Sequence, residues 1–144
     1  MIDFLILYEH KLRELDNACL LKYLLTRKGY RVKIACAYNT ELPGIVQPFY
    51  FQRVRTVLVP WLYGDGEVKK LSRLFRDAQV KVVNLQYEQI LAHKWIAAGY
   101  HFPKGLAKDA YHVCWGDVTA RRLRELGIPQ ENLLQVGSMA LDYD

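Results

Sequence analysis

Apolar residues run almost unbroken through Ile2, Phe4, Leu5, Ile6, Leu7 and Tyr8, with Asp3 the one charge among them. A run of that length and continuity predicts a strand buried on both faces, as in a parallel sheet. Leu12, Leu15, Cys19, Leu20, Tyr23 and Leu24 then recur at helical spacing, and Gly29 offers a left-handed helix end. A second strand is predicted over residues 31–37, and the right-handed crossover rule makes it a parallel neighbour of the first. Residues 39–52 hold Pro43-Gly44 and Pro48 and read as an irregular excursion.

Further along, residues 56–59 predict a third strand, stopped by Pro60. A helix over 66–78 puts Val68, Leu71, Leu74, Phe75 and Ala78 on one face. A fourth strand covers 81–85, a short helix 88–97, and a loop 100–108 with His101, Pro103 and Gly105. The fifth strand is 110–115. Asp117 is expected to cap a helix that stops at Gly127-Ile128-Pro129, and a sixth strand over 133–136 closes at Gly137. Strands and helices alternating in this rhythm predict one α/β domain over residues 1–144, a doubly wound, mostly parallel, six-stranded Rossmann-like sheet. The first strand is expected near its centre, with the fourth beside it.

Composition changes this picture little. Apolar residues are 51% and charged residues 24%, which excludes a disordered chain, and the longest apolar runs are strand-length. The N-terminus has no basic segment ahead of its apolar run, unlike a signal peptide. Cys19, Cys36 and Cys114 are few, widely spaced and set in apolar patterns, and are expected as buried thiols of a cytosolic protein. The net charge of +5 is scattered over Arg27-Lys28, Arg53 and Arg55, Lys69-Lys70 and Arg121-Arg122-Arg124. These are solvated helix faces, or a mildly basic surface that attracts anionic headgroups or a nucleotide-linked substrate. No nucleic-acid-binding motif or long basic stripe is present.

The first turn carries the candidate chemistry. A dinucleotide binder places G-x-G-x-x-G there, whereas this chain has Tyr8-Glu9-His10-Lys11-Leu12-Arg13-Glu14 and no glycine before Gly29. Acids, bases and a histidine suit proton transfer to a polar ligand better than cradling phosphate. Ligands of open parallel sheets sit beyond the carboxyl ends of the strands. Those positions are Glu9, His10, Arg13 and Glu14, then Tyr38-Asn39, Trp61 and Tyr63, then Gln86, Tyr87, Glu88 and Gln89, then Trp115-Gly116-Asp117, and Ser138. The mixture of polar and aromatic groups suits sugar hydroxyls and rings. His10 has the chemistry of a general base near neutral pH. Simpler roles compete: Glu14 as a first-turn acid offsetting the helix dipole, Asp117 as an N-cap, Trp115 as packing at the sheet edge, and Arg13 with Glu88 as a plain ion pair.

Two stretches go beyond generic α/β character. The first is Tyr8 to Leu15, with Leu20-Leu21 and Arg27-Lys28-Gly29-Tyr30-Arg31-Val32. The second is Asn84-Leu85-Gln86-Tyr87-Glu88-Gln89-Ile90, followed by His112 to Asp117 and by Val136-Gly137-Ser138-Met139-Ala140-Leu141-Asp142. In their order they resemble the N-terminal domain of GT-B-type glycosyltransferases of bacterial surface-carbohydrate and capsular polysaccharide biosynthesis. The resemblance implies the acceptor-side half of a two-domain cytoplasmic enzyme working at the inner face of the membrane. An acid of this half, Glu9, Glu14 or Glu88, would be the general base toward the acceptor hydroxyl. His10, Arg13, Gln86, Gln89, Trp115, Asp117 and Ser138 would bind the substrate. No cofactor or metal is expected in this half, because the nucleotide-sugar donor belongs to a C-terminal domain that would follow Asp144 or come as a partner subunit. A glycan or lipid-linked acceptor, peripheral membrane contact and homodimerisation through an uncovered interdomain face are the partners implied, with no nucleic acid. The alternatives are a non-catalytic α/β binding module, or a subunit that completes a transferase; a receiver-like or flavodoxin-like domain fits less well, lacking the acidic cluster and the flavin-phosphate loop.

Overall fold

The computed structural model describes residues 1–37, 53–62, 75–87, 103 and 105–138. Six strands, β1 (Ile2–Tyr8), β2 (Val32–Cys36), β3 (Val54–Val59), β4 (Lys81–Asn84), β5 (Tyr111–Cys114) and β6 (Leu133–Gln135), form one all-parallel sheet in the order β2-β1-β3-β4-β5-β6. This is the expected Rossmann-like α/β arrangement. Two expectations about neighbours fail. The first strand lies second from the edge, between β2 and β3, and the fourth strand pairs with β3 and β5. Burial on both faces requires a helix above and below, and a strand next to an edge strand has both.

Alternation along β1 divides the core. Leu5 and Leu7 pack on one face with Val57, Val59 and Val82 of β3 and β4, under Phe75, Leu106 and Ala107. Phe4 and Ile6 pack on the other face with Leu58, Val32 and Ile34, under Ala18, Leu21 and Leu25. Leu5, Ile6 and Leu7 are almost fully buried, and each such side chain stabilises the fold by about 1.5–3 kcal/mol relative to exposure. Helix α1 (Asp16–Arg27) therefore covers one face. The helix end at 75–77, helix α2 (Leu106–Asp109) and helix α3 (Asp117–Glu125), whose Ala120 and Leu123 meet Cys114, cover the other. The loop expected over 100–108 thus contains the start of α2.

The predicted inner face of the first helix is wrong. A π-helical turn, Lys11–Leu15, precedes α1 and rotates the phase of the helix behind it. Glu14, Asn17 and Ala18 are buried, whereas Leu12, Cys19, Leu20, Tyr23 and Leu24 are exposed. The Glu14 carboxylate draws this face inward by binding back to the backbone of the preceding loop. Cys19 is consequently exposed and Cys36 half-buried; only Cys114 is the buried thiol expected of all three, and burial pushes it up to about 11.

The helix ends follow the sequence. Gly127 takes a φ of 90°, its N–H bonds to Arg124 O at 2.9 Å, and Ile128 N–H bonds to Leu123 O at 3.0 Å. Ile128 is buried against Leu123 in the same cluster, which completes the motif. Among the described residues no helix is long and apolar enough to cross a membrane. The excursion at 39–52, most of the helix predicted over 66–78 and the helix predicted over 88–97 lie outside the described residues.

Candidate functional site

The chain turns back from β1 to β2 in one direction, then builds β3 to β6 in the other. The topological switch point therefore falls at the carboxyl ends of β1 and β3, where open α/β sheets form a crevice and place ligands. Two of the expected residues meet there. Trp61, just past β3, donates its indole N–H to Glu9 Oε2, just past β1. The bond joins the two walls of the crevice and fixes one oxygen of a half-buried carboxylate.

Glu14 sits deeper, 2% exposed. Its Oε2 accepts the backbone N–H of Glu9 at 2.5 Å and that of His10 at 3.2 Å. His10 O in return accepts the N–H of Glu14 at 3.0 Å and of Arg13 at 3.2 Å. The acid thus closes its own loop, satisfying N–H groups ahead of the first helical turn much as a capping box does. Its other oxygen lies 3.8 Å from the half-exposed Arg13 guanidinium. Glu14 is a loop-shaping group by geometry, and Glu9 is the acid that reaches the crevice. Glu88 and Gln89 lie outside the described residues, and with them the pairing of Arg13 to Glu88. The expected side-by-side placement of strands one and four does not hold, because β3 stands between them.

A buried polar chain supports the next part of the edge. His112, with no exposed surface, donates from Nε2 to Ala107 O at 2.7 Å and faces Asn84 Nδ2 with Nδ1 at 3.2 Å. Since Asn84 Nδ2 can only donate, Nδ1 accepts and the ring is the neutral Nε2–H form. Burial holds its pKa below the ordinary 6.5, opposed by the bond to Ala107 O. Asn84 Nδ2 also donates to Leu62 O at 3.1 Å, and its Oδ1 accepts the N–H of Gln86 at 3.1 Å. Four bonds therefore tie the loop after β3, the end of β4, β5 and α2 into one unit. Sequence pattern does not single out Asn84 and His112 for this role; the only signal is a polar residue at an inward position of each apolar strand.

Gln86 is held by that unit in a left-handed conformation, φ 49°, and is 3% exposed. Its Oε1 is buried with no hydrogen-bond partner among the described residues. A buried acceptor left without a donor is costly, and such groups cluster where ligands bind.

At the far end of the edge, Trp115 is 40% exposed, and Val118 and Val136 are more exposed still. Val136 N–H and Gly137 N–H both bond to Cys114 O, at 3.2 and 3.3 Å, which holds the chain after β6 alongside the end of β5. The N-cap of α3 is Gly116, not Asp117 as expected; the Asp117 carboxylate accepts from Gln135 Nε2 at 2.7 Å and pins β6 to the start of α3. Ser138, half-buried, follows β6 on the same edge. Among the described residues no cluster of His, Cys, Asp and Glu could hold a metal ion. No family model, curated protein or solved structure matches this chain.

Proposed function

We propose that this chain is the acceptor-binding half of a GT-B-type glycosyltransferase of bacterial surface polysaccharide synthesis, with Glu9 as the general base. The observation that carries this is the Glu9 carboxylate, held by the Trp61 indole at the β1/β3 crevice in a loop free of phosphate-cradling glycines. In the reaction, an acceptor hydroxyl oxygen bonds to the anomeric carbon of the donor sugar. The bond from that carbon to the donor phosphate breaks, its electron pair leaving with the nucleoside diphosphate. The hydroxyl proton passes to Glu9. The crevice aromatics and the Gln86 amide would meet the acceptor's rings and hydroxyls. The donor would sit on a second Rossmann-like half, and the enzyme would work in the cytoplasm at the inner face of the membrane.

The subunit alternative has its own support in the exposed stripe of Leu20, Tyr23 and Leu24 on α1, a face suited to a protein partner. Calorimetry on the chain tests the division of labour. Oligosaccharides cut from bacterial surface polysaccharides should bind, and nucleotide sugars should not reach micromolar affinity at the crevice, as read from the Trp61 indole signal. Micromolar binding of any nucleotide sugar at that crevice would contradict the acceptor-side assignment.

A further inference from the structure

At the opposite end of the sheet, the amino ends of β1, β3 and β4 border a cleft of about 860 Å³. Arg53, Arg55 and Lys81 line it, with Thr56, Ala78 and Gln79, and no acidic side chain stands among the described residues of its wall. The volume is that of a small-molecule site.

Two features separate this cleft from an ordinary solvated basic surface. The first is backbone conformation. Only three described non-glycine residues have positive φ, and two of them, Arg53 at 46° and Gln79 at 52°, are in this wall. Gln79 ends its helix as Gly127 ends α3: its N–H bonds to Arg76 O at 3.0 Å and Val80 N–H bonds to Phe75 O at 3.2 Å. Glycine serves that position without strain, so a glutamine there keeps a polar side chain in the cleft against local preference. The second feature is the setting of Arg55. Its Nη1 lies 3.5 Å from Asp3 Oδ1, while Asp3 Oδ2 accepts the Arg31 N–H at 2.9 Å. Asp3 is thereby anchored from β2's side, its pKa lowered chiefly by that backbone bond, and it braces the Arg55 guanidinium at the cleft's rim.

We propose that this amino-edge cleft is a binding site for a phosphate group carried on a small polar ligand. Two guanidiniums give forked, charge-assisted donors matched to phosphate oxygens, and the Lys81 ammonium adds a point charge. Thr56 and Gln79 add neutral hydrogen bonds. The described wall holds no aromatic ring, so it offers no platform for a nucleobase. The site is separate from the carboxyl-edge crevice, and either assignment can fail while the other stands.

The phosphate source is a soluble phosphorylated compound or a lipid headgroup, and two arms of one experiment separate them. The full chain is titrated with inorganic pyrophosphate while the amide signals of Thr56, Gln79 and Lys81 are followed by NMR. In parallel it is sedimented with phosphatidylglycerol vesicles and with phosphatidylcholine vesicles. Saturable shifts without sedimentation assign a soluble ligand. Sedimentation with phosphatidylglycerol alone, reversed by pyrophosphate, assigns a headgroup. Arg53→Gln with Lys81→Gln should weaken binding by roughly tenfold or more, and added salt should weaken it in the native chain. Gln79→Glu, which places a carboxylate in the wall without changing its shape, should do the same and carries the test should the double variant fail to fold. No saturable response in either arm, or variants that bind like the native chain, overturns the proposal.

Discussion

Glu9→Gln, in a protein that carries both halves of the transferase, is expected to cut turnover by about a hundredfold or more and leave the melting temperature unchanged. The carboxamide oxygen still accepts the Trp61 N–H, so the two walls of the crevice stay joined. The variant loses only the ability to take a proton. Glu14→Gln should do the reverse. Its carboxylate accepts two backbone N–H groups in a nearly closed environment and lies beside the Arg13 guanidinium. Charge-assisted bonds of that kind contribute more than neutral ones, and weakening a buried set costs about 1–3 kcal/mol. The expected result is a melting temperature lower by several degrees, with turnover per folded molecule nearly intact. Parallel kinetics and thermal melts on both variants separate the two acids. A Glu9→Gln enzyme as fast as the parent removes the base from this crevice.

The second large effect is on stability. His112→Phe is expected to cost about 2–4 kcal/mol, because it strips the Ala107 carbonyl of its donor and leaves a buried Asn84 N–H facing a ring carbon. Asn84→Leu should cost a similar amount. The double substitution should cost less than the sum, since each single change already orphans the other partner. The same histidine gives the protein a pH dependence. Its folded pKa is depressed, so the unfolded chain takes up the proton first as pH falls below 6.5. This contribution is fully present above 6.5 and is lost as pH drops toward the folded pKa, at no more than about 1.4 kcal/mol per pH unit. Urea unfolding at pH 7.5 and 5.5 checks it: stability should fall toward pH 5.5 in the native chain, with a smaller fall in His112→Phe.

Local pattern carries most of the architecture. The apolar continuity of β1, the spacing of later strands and the Gly127-Ile128-Pro129 stop all depend on neighbours in sequence, and each appears where expected. Strand order does not depend on neighbours. Both an order with β4 beside β1 and the observed one with β3 there satisfy the same run of strands and right-handed crossovers. That single ambiguity moves the crevice from Glu88 to Trp61. The inner face of the first helix departs from expectation for another reason. Apolar spacing favours Leu12, Leu20 and Leu24, but Glu14 finds two backbone donors, and the π turn it closes sets the phase. The Asn84–His112 chain is illegible in sequence because a buried polar residue is recognised by its partner, and these partners stand 28 residues apart.

The most direct test of the crevice is the indole N–H signal of Trp61 in the ¹⁵N-labelled chain. If the proposed assignment holds, titration with acceptor oligosaccharide should move that signal saturably, and Glu9→Gln should alter the bound position, because the bond between Glu9 and Trp61 would then be the wall the sugar meets. A Trp61 signal that stays in place while the oligosaccharide binds elsewhere would contradict the account.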